Sequence, residues 1–344
     1  MPRGLLLPVA VWRALIQTLR LVWMLLAVVR KPDVILVQNP PAIPTLLVAL
    51  VAARLRGAHL VVDWHNLAWA VLALGVGARH PAVRLARWYE GVVGRRADAH
   101  LCVSDALAAE LGRWGMRPVA VLRDRPAERF AALEPAERRV VRRRLADSLG
   151  LEGREPAIVI SPTSWTRDED FDLLLAAVRR CEALAQERPF PDLLVLLTGR
   201  GARRAAFEAQ AAALPGRRIH VRTAWLEPDD YPRVLAAADL GLCLHRSASG
   251  LDLPMKIADL HGAGLPVCAL DYGPCLDEML RHEDTGLRFA DADTLARQWI
   301  MLLAGFPAAT PELDRLRANV EKARGTTWRA GWEAEAREIL LAHA

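Results

Sequence analysis

Short apolar runs separated by helical patterns recur along this chain, and that alternation constrains its fold more than any other feature. Val34-Ile35-Leu36-Val37-Gln38-Asn39 is the first such run, β-branched and ended by prolines. Leu60-Val61-Val62-Asp63-Trp64-His65, Ala99-His100-Leu101-Cys102-Val103-Ser104 and Val119-Ala120-Val121-Leu122 follow. The pattern restarts with Ala157-Ile158-Val159-Ile160-Ser161, Leu193-Leu194-Val195-Leu196-Leu197, Ile219-His220-Val221, Leu240-Gly241-Leu242-Cys243-Leu244 and Val267-Cys268-Ala269-Leu270. Continuous apolar strands alternating with helices predict parallel sheets covered on both faces, an α/β fold. Between the two series, residues 134–149 read as an arginine-rich, solvated helix and residues 150–156 as a flexible link. The expected division is therefore 1–130, a linker helix over 131–155, a second domain over 156–310, and helices over 311–344 that pack back toward the first domain. Open parallel α/β domains bind ligands outside the carboxyl ends of their strands, and a cleft between domains is the default site.

The length of 344 residues suits two such domains, and 53% hydrophobic residues are ample for two cores. The net charge of +5 comes from scattered arginines without a block of like charge, so nucleic acid is not an expected partner. A modestly basic, apolar protein suits anionic phosphates or a membrane surface. Cys102, Cys181, Cys243, Cys268 and Cys275 form no C-x-x-C pair and read as small core residues in a reducing compartment. The histidines lack metal-ligand spacing, so no dedicated metal site is expected. From Val11 to Val29 the polar residues Arg13, Gln17 and Arg20 form one narrow helical stripe, with Trp12 and Trp23 added. Two arginines argue against a spanning helix; a helix lying in the membrane interface and a helix buried against a sheet both fit.

The run from Ser249 to Val267 carries most of the chemistry. It reads as a glycine-bearing loop, a helix with Pro254 at its first position, a glycine turn and a buried strand. Lys256 and Asp259, three apart, share a helix face, and Asp252 stands just before the helix. An ammonium to meet phosphate, carboxylates to accept hydroxyl protons and a Ser249-Gly250 loop could hold a sugar bonded to a diphosphate. The same residues equally make an ordinary loop–helix–strand connection with a surface ion pair.

The other strand ends add candidates. Thr166 with Glu169 reads as a capping box opening the next helix, which leaves Thr163 and Ser164 to line a cleft. Arg200, inside Gly199-Arg200-Gly201, is a candidate phosphate ligand, although a simple turn accounts for both glycines. Asp63-Trp64-His65-Asn66 ends a strand and is expected to face the cleft, with His65 as a candidate general base and Asp63 orienting it or acting instead. Turn residues bonding their own backbone explain these four equally well. Ser104 caps the helix beginning at Asp105.

Together Gln38-Asn39-Pro40-Pro41, Asp63-Trp64-His65-Asn66, Trp88-Tyr89-Glu90, Ser164-Trp165-Thr166, Asp168-Glu169-Asp170-Phe171 and Ser249 through Val267 resemble the chitobiosyldiphosphodolichol β-mannosyltransferases. The resemblance runs from about residue 30 to the C-terminus and implies a GT-B fold, two Rossmann-like parallel-sheet domains facing a cleft. It implies inverting transfer of mannose from GDP-mannose to GlcNAc2-diphosphodolichol at the cytosolic face of the endoplasmic reticulum membrane. That is the first mannose of the N-glycan precursor, and other mannosyltransferases of the pathway would be partners. GDP-mannose is then a donor substrate, with no tightly bound cofactor and no required divalent metal. By the related pattern of two acids before a G-x-P-V turn, Asp259 falls on the nucleotide ribose and Asp252 on the mannose. The family opens with a transmembrane segment, a strand and a Gly-Asp-x-Gly-Arg loop, and this chain is read as starting downstream of them. Arg125 stands where the family is expected to carry Lys.

The mechanism this implies has His65 or Asp63 take the proton of a GlcNAc hydroxyl. Lys256, Arg200 and the Ser249-Gly250 amides would meet the leaving diphosphate. Two readings compete with it. One is a catalytically silent GT-B remnant that binds a partner or a nucleotide, favoured by the short N-terminus. The other is a retaining GT-B hexosyltransferase.

Overall fold

The computed structural model describes residue 12, residues 15–325 and residues 327–341. Arg13 of the N-terminal stripe lies outside the described residues. The chain divides into two compact units, Met1–Arg123 with Ala330–Ala344, and Asp124–Arg329.

The first unit is built on four parallel strands in the order β1-β2-β3-β4, namely Val34–Asn39, His59–Trp64, Ala99–Cys102 and Val119–Val121. Each strand is short and apolar where the sequence predicts one, and each returns through a helix, as parallel neighbours require. Val61, Ala99 and Leu101 bury one face of this sheet against Ala336, with Trp332 and Leu340 packed around it. Residues 15–23 are α-helical, and Met24–Val28 widens into a π turn. Arg56 holds that turn by donating to the carbonyls of Leu26 and Val29. The segment is not buried against a sheet: Trp12, Leu19 and Trp23 stand 59–63% exposed. Among the described residues no helix is long and apolar enough to cross a membrane.

The second unit has six parallel strands in the order β7-β6-β5-β8-β9-β10. They are Ala157–Pro162 (β5), Leu193–Thr198 (β6), Ile219–Ala224 (β7), Leu240–Cys243 (β8), Val267–Leu270 (β9) and Gly286–Phe289 (β10). Renumbered within the unit this is 3-2-1-4-5-6, the Rossmann order, with the direction of winding reversing between β5 and β8. Strand β10 is the one the sequence does not announce; it is a four-residue edge strand interrupted by Arg288.

The expectation of a solvated arginine-rich helix is corrected. Pro135–Ser148 buries Leu145 and Ala146, and its Arg138 and Arg142 reach Asp239, a fully buried carboxylate just before β8. Asp239 also accepts from Arg317 and from the Ile158 backbone N–H, so one acid ties two helices to the sheet. Burial alone would raise its pKa, but the three guanidiniums hold it below the usual carboxylate range.

Candidate functional site

Because β5 and β8 are neighbours wound in opposite directions, the loops after Pro162 and after Cys243 open side by side. This is where a Rossmann sheet leaves room for a ligand. The loop after β6 closes on the loop after β5, and its two glycines make that approach sterically allowed. A Cβ on Gly199 would lie 2.0 Å from the Thr163 carbonyl oxygen, and one on Gly201 would lie 2.4 Å from that of Ser164. The glycines therefore serve close backbone approach more than a turn. Between them Arg200 lays its guanidinium 4.0 Å from the centroid of the Trp225 ring.

The expected capping box is corrected. The helix is Phe171–Gln186 and its cap is Asp170, which accepts from the Leu173 N–H. Glu169 is drawn inward instead, 2% exposed, accepting from the Ser164 and Thr166 N–H groups. Its other oxygen lies 2.5 Å from Lys256 Nζ. Trp165, between these donors, holds a left-handed backbone (φ 56°) and stacks 4.8 Å from Phe171. Such a conformation in a bulky residue costs about 1–3 kcal/mol and persists only where its surroundings enforce it.

A cavity of about 370 Å³ lies beyond these loops. Thr163, Ser164, Lys256 and Asp259 all line it, together with Trp225 and Tyr231. The helix Met255–Gly262 presents Lys256 and Asp259 on one face, although Pro254 caps it from outside and does not form its first turn. Tyr231 donates to Asp259 at 3.1 Å. Burial raises the Asp259 pKa above its ordinary value, outweighing the Tyr231 hydrogen bond and the charge of Arg129, which lower it.

Asp252 sits beside this cavity in a cluster of its own. It is 7% exposed, and its Oδ2 lies 3.0 Å from His245 Nε2. The other imidazole nitrogen lies 3.0 Å from Asp168. Ser247 and Ser249 both donate to Asp252 Oδ1, and the Gly250 N–H donates to Ser247, so Asp252 shapes the Ser249-Gly250 loop. Burial opposes charge on His245, but the hydrogen bonds to Asp168 and Asp252 outweigh it and raise its pKa to about 9. Those bonds depress both carboxyls below their usual range. An imidazolium clamped between two carboxylates thus stands on the strand end next to the cavity. Sequence reasoning missed it because neither acid has a fixed spacing from the histidine. It also missed Trp225 and Tyr231, whose loop follows a strand that the sequence ends too early.

In the first unit, Asp63 and His65 meet at 3.0 Å on the partly exposed side of the β2 end. The motif does not face outward as a block. Trp64, two-residue alternation putting it on the opposite side, is fully buried and donates to His100. Glu90 is buried as well and gathers the Asn39 amide and the Ala68 and Trp69 N–H groups at 2.8 Å each. Burial raises its pKa against those donors. Asp63 and His65 lie in the first unit, whereas Thr163, Ser164, Arg200, Ser249, Gly250, Asp252, Lys256 and Asp259 lie in the second. Among the described residues no three His, Cys, Asp or Glu side chains gather as a metal site.

A Rossmann-ordered unit with a cavity at its switch point, in tandem with a second parallel-sheet unit, defines a GT-B glycosyltransferase. Residues 2–125 match the model of a glycosyl transferase 4-like domain, and residues 181–338 that of a glycosyl transferase-like domain. The human chitobiosyldiphosphodolichol β-mannosyltransferase is 38% identical over 93% of this chain and 75% of its own length. The chain belongs to that family. The UDP-glycosyltransferase TURAN of Arabidopsis thaliana is 37% identical, with 95% of this chain and 80% of its own length covered. Among solved structures, Anabaena HepE in complex with UDP and glucose shares the fold at a TM-score of 0.68 and 17% identity, over 90% of this chain and 78% of its own.

Proposed function

We propose that the chain transfers mannose from GDP-mannose to a GlcNAc2-diphosphate lipid, inverting the anomeric carbon to give a β-linkage, at the cytosolic face of the endoplasmic reticulum membrane. The observation that carries this reading is the cavity at the β5/β8 switch point, where Thr163, Ser164, Lys256 and Asp259 converge. Family membership supports the sugar and the lipid-linked acceptor.

In this reading Asp259, with Tyr231 beside it, accepts from the ribose hydroxyls. Lys256 leaves or shares its partner Glu169 to meet the departing diphosphate, and Arg200 adds a second cation. A charge-assisted contact of this kind is worth about 1.5–3 kcal/mol. Trp225 offers a face to the base. Asp252, oriented by His245, presents the loop amides of Ser249 and Gly250 to the sugar or the diphosphate. On the acceptor side, the His65 imidazole, oriented by its 3.0 Å contact with Asp63, is the base that takes a hydroxyl proton.

One observation favours a second donor. TURAN is named a UDP-glycosyltransferase and HepE was solved with UDP, so a uridine nucleotide is the competing base. Purified protein offered labelled GDP-mannose or UDP-glucose with a GlcNAc2-diphosphate-phytanyl acceptor separates the readings. Product made from GDP-mannose and released by β-mannosidase is the expected result. Transfer from UDP-glucose alone, or an α-linked product, would overturn it.

A further inference from the structure

The first unit carries a second cavity, far in character from the sugar-nucleotide site. A groove of about 430 Å³ runs between the helices Pro81–Gly94 and Asp105–Arg113, walled by Arg84, Arg87, Arg95 and Arg113 and by Trp88 and Trp114. Four guanidiniums face one neighbouring carboxylate. Glu110 pairs with Arg113 at 2.5 Å, stands 4.0 Å from Arg87 and accepts from the Trp114 indole. Arg84 has no hydrogen bond or ion pair among the described residues, and Arg95 donates only to its own helix, at the Gly91 carbonyl. The groove therefore holds excess positive charge that nothing described in the chain neutralises. Gly91 lies along it, and a Cβ there would meet only Trp114, at 3.8 Å. A larger residue at 91 would fill the groove without a backbone clash.

The apolar side chains around this groove point to its occupant. Leu85 and Trp88, on the same helix as Arg84 and Arg87, are 59% and 62% exposed. The helix Thr45–Arg56 packs beside it, its Leu47 N–H donating to Tyr89. That helix exposes Leu47, Val51 and Leu55 at i, i+4 and i+8. Met24 and Val28 of the π turn, which Arg56 holds, are exposed as well. Exposed apolar side chains set directly beside an arginine-lined groove, as Leu85 and Trp88 are, suit an interaction face. Tryptophan and leucine flanked by arginines match the boundary of a bilayer, where aromatic rings sit at headgroup depth and cations meet lipid phosphates.

We propose that this face docks on an anionic bilayer, with the arginine groove taking the phosphate of an acidic phospholipid while Trp88 and Leu85 enter the interface. The proposal deepens the membrane placement given above and rests on that part of it, but not on the donor or the acceptor. Its free energy comes from two separable sources. Each arginine near an acidic leaflet strengthens partitioning by about fivefold, in a salt-sensitive way. Burial of Trp88 and Leu85 adds a contribution that does not depend on headgroup charge.

Flotation of the full chain with vesicles of phosphatidylcholine alone, or with added phosphatidylserine, tests it. Binding is expected to rise with phosphatidylserine and fall with salt. The double variant Arg84→Gln/Arg95→Gln should lose roughly 25-fold of the binding to acidic vesicles and little of any binding to neutral ones. Gly91→Leu should act likewise by filling the groove, and Trp88→Ser should weaken binding to both vesicle types. Equal binding to both vesicle types, or acidic-vesicle binding unmoved in the double variant and in Gly91→Leu, would overturn the assignment. Competition by inorganic phosphate at millimolar concentration as strong as that of lipid would do so too, marking a free-anion site. Absence of vesicle binding by the parent would leave the face to a protein partner and also contradict the proposal. Transfer to a short-chain acceptor in detergent should be unchanged in these variants, so failure of the transferase reading and failure of this one leave different traces.

Discussion

At the residue scale, His245 is the side chain whose environment departs furthest from what its sequence position announces. Its pKa rises from 6.5 to about 9, so the stability its charge lends the fold is complete below pH 6.5 and is lost as pH climbs through about 9. The difference corresponds to about 3 kcal/mol at most. His245→Gln should therefore flatten the melting temperature between pH 6.5 and 9, while the parent loses stability across that window; parallel profiles would show that the imidazolium clamp is not formed. Gly199→Ala belongs to the same scale. Its methyl would stand 2.0 Å from the Thr163 carbonyl oxygen, so the loop must move, and nucleotide binding should weaken by at least tenfold with the overall fold retained. Calorimetric titration of the variant with GDP reads this directly. Lys256, Asp259, Thr163 and Ser164 were legible in the sequence because each stands right after a recognisable strand or on a short helix between two glycines. Asp168, His245 and Asp252 were not legible as a group, because they come from two loops that only the β5/β8 adjacency brings together.

At the scale of elements, strand placement was the most legible part of the fold. β9, buried along its whole length, begins and ends where its apolar run does, whereas β1 keeps the bounds of its run but alternates buried and exposed residues and ends in Gln38-Asn39. The helix Pro135–Ser148 shows where that reasoning stops. About four arginine-rich turns look solvated until a buried acid elsewhere in the chain claims two of the guanidiniums, and Asp239 gives no local sign of doing so. Asp239→Ala would leave Arg138, Arg142 and Arg317 around an empty site. Loss of one partner of a buried ionic cluster costs about 3–5 kcal/mol, which for a unit of this size is roughly a 10 °C fall in melting temperature. A fall of less than 2–3 °C by calorimetry, in the range of about 1 kcal/mol, would mean that the helix is held by its apolar face alone.

At the scale of the whole molecule, the chain returns to its first unit at the end. Trp332, Ala336 and Leu340 complete a core with Val61, Ala99 and Leu101, so residues distant in sequence supply one face of the first sheet. A chain ending at Arg329 should expose that face and become sensitive to protease within the first unit, while binding of GDP by the second persists. In the proposed function, the cavity at the switch point of the second unit receives a guanosine nucleotide through Lys256 and Asp259. Titration of the intact chain with GDP, alongside Lys256→Met and Asp259→Asn, measures it most directly. Saturable binding of GDP in preference to UDP is expected, weakened by about tenfold or more in each variant. Equal affinity in the parent and both variants would contradict it.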